Sequence, residues 1–171
     1  MVTKRIGFYD LRDWWLSEQR LRELLVDPRL SQGNDADPFY PVAQQPESGF
    51  PYIRYGIGRD VAPSQWWMRT EQVMLEIFML DIVESNEVVN IMIDMAGRES
   101  DSATDLTNWL VERNNELQEQ EEPPVPIDYV YHSIKYMGSG EIEATEEEGG
   151  HHSVGLMFSI YLSPKNGRGI A

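Results

Sequence analysis

The sequence contains no cysteine. That excludes disulfides, thiol nucleophiles and cysteine metal sites, and leaves the compartment open. Basic residues are scarce: 14 Lys and Arg stand against 29 Asp and Glu, for a formal charge of −15. Grip on nucleic acid phosphates comes from Lys and Arg, so non-specific binding to DNA or RNA is disfavoured. No apolar run approaches the ~20 residues of a helical membrane span, so no membrane partner is expected. Met1-Val-Thr-Lys-Arg5 is followed by Ile6-Gly-Phe-Tyr-Asp10 rather than a long apolar stretch, which argues against a signal peptide. Neither phosphate-cradling glycine loop occurs, since Gly56-Ile-Gly58 leads into Arg59-Asp60 and not into a helix start. The Gly-x-Ser-x-Gly turn of serine hydrolases is missing too.

What is present suffices for a core. The 171 residues are 41% hydrophobic and include five Trp, eight Tyr, five Phe and eight Met. A chain of this length fits one domain with an arm and buries roughly 70% of its unfolded surface.

Leu11, Trp14, Trp15, Leu21, Leu24 and Leu25 recur at helical spacing, which predicts a helix from Asp10, as N-cap, to Val26, stopped by Asp27-Pro28. The stripe reads as core packing, the other reading of the Trp14-Trp15 pair being a partner-binding anchor. Residues 27–51 carry five prolines and two glycines and read as an irregular arm. Phe39 and Tyr40 within it are unusual for a solvated linker and are the candidates to reach an adjacent subunit, where Tyr and Phe are enriched. The other reading has the same segment wrapping its own domain.

From Pro51 the period becomes two. Tyr52 to Gly58 alternates, as does Thr70 to Asp81, where Val73, Leu75, Ile77 and Met79 make one clean apolar face. The second face of that strand is mixed, which suggests partial cover by another subunit. Ser85 and Glu87 open a predicted helix through Ala96, stopped by Gly97. Ser102-Ala-Thr-Asp105 has the form of a capping box ahead of a further helix, which Pro123-Pro124 follows. Ile127 to Met137 and Ser153 to Leu162 read as closing strands around an acidic, glycine-bounded loop from Gly138 to His152. The expected fold is therefore α+β: a four-stranded antiparallel sheet covered by helices on one face, with an N-terminal helix and irregular arm. The divisions are 1–50 (helix and arm), 51–164 (α+β domain) and 165–171 (a frayed tail).

Few residues suggest chemistry. A metal site would need His132, His151 and His152 to converge with Glu146, Glu147 or Glu148, yet adjacent histidines on extended backbone point to opposite sides. Glu76, within an apolar stretch, is most simply paired with Arg54 or Lys135 across the sheet. Asp94, Glu99 and Asp101 lack the nearby lysine of a metal nuclease, and the charge of −15 opposes DNA approach. No catalytic residue, metal ligand or cofactor is assigned.

The order of elements and their local sequences resemble a known family. The strand Pro51-Tyr-Ile-Arg-Tyr-Gly-Ile57, the strand Glu71-Gln-Val-Met-Leu-Glu-Ile-Phe78 and the helix Glu87-Val-Val-Asn-Ile-Met-Ile93 carry the likeness. The final hairpin, Asp128-Tyr-Val-Tyr-His-Ser-Ile-Lys-Tyr136 to Val154-Gly-Leu-Met-Phe-Ser-Ile160, completes it. From about Phe50 to Pro164 the chain resembles the tail-terminator (tail-completion) family of long-tailed bacteriophages and the related head–tail joining proteins. The first helix, the Pro-rich segment, the long helix from Ala103 to Leu117 and the charged hairpin loop depart from the family pattern.

The resemblance implies a structural virion protein, not an enzyme, assembled in the host cytoplasm and placed at the tail–neck junction. It implies a homo-oligomeric ring, usually a hexamer, that caps the tail tube protein and meets a neck or connector protein. DNA would pass through the lumen without specific binding. Six copies would carry about −90 formal charges, and an acidic lumen lets DNA slide without sticking. Glu141, Glu143, Glu146, Glu147 and Glu148 are the candidates to face the lumen or a partner, because their loop can project; the other reading is a solvated loop on the outer rim. Competing expectations are a neck, stopper or tube-initiating role, a metal-dependent hydrolase using the His and Glu loop, and an acidic DNA-mimic inhibitor.

Overall fold

The computed structural model describes residues 7–25, 37–41, 51–59, 69–98, 101–142 and 152–165. Two short helices come first, α1 (Gly7–Ser17) and α2 (Gln19–Leu25), then the strands β1 (Phe39–Pro41), β2 (Tyr52–Arg59) and β3 (Arg69–Met79). Helices α3 (Ile82–Ala96) and α4 (Ser102–Glu119) follow, and β4 (Tyr129–Ile142) and β5 (His152–Pro164) end the fold. The strands form one sheet in the order β1-β2-β3-β5-β4. Every neighbouring pair is antiparallel except β1 with β2, which is parallel.

Among the described residues the sheet thus has five strands and is mixed, where the sequence reading expects four, all antiparallel. The extra strand is β1, from the stretch read as irregular. Phe39 lies opposite Ile53, and the Ile53 N–H donates to the Pro38 carbonyl at 2.8 Å. Three residues bounded by Pro38 and closed by Pro41 offer no period to read, and proline is tolerated at such a sheet edge.

The four helices among the described residues cover one face. Ile53, Val73, Leu75, Ile77, Leu156, Phe158 and Ile160 rise from the strands into a single core with Leu11, Trp15, Leu21, Met92 and Leu106. The segments read as 1–50 and 51–164 therefore share this core: the Trp15 indole N–H donates to the Met92 carbonyl at 3.3 Å, and its ring packs edge-on against Phe158. Ser102 Oγ donates to the Ile134 carbonyl at 3.2 Å and ties the start of α4 to β4.

Three local expectations are corrected. The helix read from Asp10 begins at Gly7 and breaks at Glu18, so Asp10 is not an N-cap; it is buried inside α1 and accepts from the Tyr131 hydroxyl. The Ser102–Asp105 capping box does not form, because the Ser102 hydroxyl is engaged with β4 and Asp101 occupies the cap position without a side-chain bond. In β4 the inward set is Tyr129, Tyr131, Ile134 and Tyr136, not an unbroken alternation. Register shifts after Tyr131 and after Tyr136 each insert one residue, His132 and Met137, and an inserted residue reverses the phase of the strand.

Candidate interaction surface

With the helices on one side, the opposite face of the sheet lies open. Cross-strand register assembles it in rows. Gly56, Met74, Met157 and Gly138 form one row, and Arg54, Glu76, Gly155 and Gly140 the next. Met74 is 53% exposed, Met157 37% and Met137, the second bulge residue, 54%. Together they border a shallow depression of ≈ 420 Å³ whose floor is Gly138, Ser139 and Gly155. Glycine leaves that floor open, and Gly138 sits at φ 140°, backbone that an L side chain rarely adopts. Methionine is adaptable and polarizable, a side chain suited to contact surfaces.

Around this patch the polar residues are ordered. Glu76 lies opposite Arg54 in the register of β2 and β3, and the Arg54 guanidinium carbon is 5.9 Å from the centroid of the Phe78 ring. The Lys135 amino group lies 5.4 Å from the centroid of the Tyr161 ring. Tyr52 stacks on Phe78 at 4.7 Å, and the His132 imidazole is 2.7 Å from Ser163 Oγ. A second apolar knuckle, Leu80, Ile82 and Val83, is exposed at the turn into α3, where Asp81 caps the helix by accepting from the Val83 and Glu84 N–H groups.

The residues singled out from sequence divide into three sets. Phe39 is only 5% exposed and lies parallel to Trp15 in the chain's own core, whereas Tyr40 is half-buried and meets Tyr52 edge-on. Of the acidic loop, Glu141 belongs by its backbone to the end of β4, in register with Val154. Glu143, Glu146, Glu147 and Glu148 lie outside the described residues, as do His151 and Glu99. Asp94 is paired with Arg98 at 3.0 Å on the exposed side of α3. Among the described residues no group of three or more His, Asp and Glu side chains is placed to hold a metal ion. No helix among them is long and apolar enough to cross a membrane.

One polar constellation escaped the sequence reading. Glu71, 1% exposed, accepts from the Gly7 N–H at 3.1 Å and the Phe8 N–H at 3.0 Å, with Arg69 paired to it at 2.6 Å. A helix start carries unsatisfied N–H groups and a partial positive charge, so a carboxylate from β3 satisfies both. The signal was legible: Glu71 shares strand parity with Val73 and Leu75, the buried set. It ties the start of α1 to β3 on the covered side of the sheet.

No family model matches the chain, and no curated protein matches it. Among solved structures the chain is similar to one described as "Virion of native gene transfer agent (GTA) particle". The identity is 12% and the TM-score 0.45, over 85% of this chain and 90% of that chain. A likeness at this level gives neither family nor function.

Proposed function

We propose that the chain is a structural virion protein of the tail-terminator kind: a ring that caps the end of a phage tail tube and joins it to the neck. The observation that carries this reading is the open sheet face, where three methionines stand in solvent around a glycine floor. Contiguous exposed apolar surface of this kind marks a site for another protein. The charge of −15 supports the same reading, since an acidic lumen repels the phosphates of DNA in transit. The local sequence resemblance, from the strand at Pro51 to the final hairpin, supplies the kind of assembly. In this reading the glutamates from Glu141 to Glu148 line the lumen or meet the neck protein, and Tyr40 contributes to the contact between subunits.

The test is growth arrest. Tail tube protein is polymerised with and without small amounts of the chain, and tube lengths are measured by negative-stain imaging. Short tubes of narrow length distribution support the proposal. Unchanged lengths, with no chain sedimenting with the tubes, overturn it.

A further inference from the structure

The two broad surfaces of the domain are opposite in character. The charges placed by register and contact on the open sheet face are Arg54, Lys135 and Glu76, a balance of one positive charge in a chain of −15. The outer stripe of α4, turned away from the sheet, exposes Glu112, Glu116 and Glu119 beside Val111, which is 46% exposed. We infer that the open sheet face of one copy seats on the outer stripe of α4 of the next copy, methionines against Val111 and Lys135 against Glu112 and Glu116. The inference rests on the ring reading above and names the surfaces that would close such a ring.

Charge decides between the possible self-contacts. Two α4 stripes placed together would set glutamates against glutamates, and two sheet faces would bring together surfaces of the same net positive sign. Like charges across an interface are strongly disfavoured, whereas the mixed pairing matches signs. The two surfaces lie on opposite sides of a two-layer domain. A contact between them is heterologous, and such contacts repeat around a ring when the rotation closes.

Charge reversal tests this directly. Self-association is measured by light scattering, with and without tube ends, for wild type, Lys135→Glu, the double variant Glu112→Lys with Glu116→Lys, and all three changes together. The first two are expected to weaken association about tenfold or more, and the combination to restore it. Circular dichroism checks that each variant folds. A second readout uses the absence of cysteine. A Val111→Cys chain mixed with a Met157→Cys chain should give a mixed dimer with a flexible bis-maleimide, and neither chain alone should.

Reversal variants that assemble like wild type would overturn this contact while leaving the ring standing. Wild type that stays monomeric at every concentration and on tube ends would remove both. Protection of Met157→Cys from labelling only when tube protein is added would assign the face to the tube and overturn the second copy as its occupant.

Discussion

Glu71 ties the N-terminal helix to the sheet, and its energetics are those of a buried charge with every partner in place. Replacing it by Ala frees two helix N–H groups and leaves Arg69 beside an empty site. Loss of one partner of a buried pair costs about 3 kcal/mol. Urea denaturation of Glu71→Ala should show a loss of that size, and Glu71→Gln, which keeps one acceptor, a smaller one. Tyr55 gives a pH test at the same scale. Burial, then its hydrogen bond to Tyr9 and the Tyr9 charge, push its pKa from 10.0 up to about 12. The folded state therefore holds the phenol proton more tightly than the unfolded state does. The associated stability is complete below pH 10.0 and is lost as pH rises toward about 12. Tyr55→Phe should flatten that alkaline fall, measured by denaturation at stepped pH. Residue-scale features were the least legible in sequence. Asp10 has the chemistry of an N-cap and became a buried acceptor for Tyr131, because the position of β4 decides its partner.

Helix and strand types were readable from period and punctuation, and the departures come from tertiary contacts that no period encodes. The α3 boundary moved to Ile82 because Asp81, read as the end of a strand, accepts from Val83 and Glu84. The β4 pattern failed at His132 and Met137, since an inserted bulge residue leaves no mark in composition. The fifth strand was hidden by its brevity and its prolines. The end of α4 follows a general rule with an unusual residue. Glu122 N–H donates to the Leu117 carbonyl at 2.8 Å and Glu121 N–H to the Gln118 carbonyl at 3.1 Å, a Schellman closure with Glu121 at φ 58°. Left-handed backbone costs a residue with a Cβ roughly 1–2 kcal/mol, part of which glycine returns through its freer unfolded chain. Glu121→Gly should therefore raise stability by about 0.5–1 kcal/mol, read as a higher denaturation midpoint with an unchanged slope.

At the scale of the whole molecule, the acid excess and the uneven second face of β3 were both legible, and both support the proposed function. The mixed face around Gln72, Met74 and Glu76 reads from sequence as a surface partly covered by another subunit. In the fold it is the open face, with Met137 and Met157 beside Met74. That convergence was not legible, because Met137 reaches the face only through a bulge and Met157 only because β5 inserts between β3 and β4. The acidic hairpin was readable as charge and glycine, but charge alone does not say whether it faces a lumen. The central claim is that this face and this charge serve a ring on a tube end. The most direct measurement is negative-stain imaging of isolated tail tubes after addition of the purified chain. The account predicts a ring of density seated on tube ends, on the same axis as the tube. Bare ends with the chain left as free monomer would contradict it.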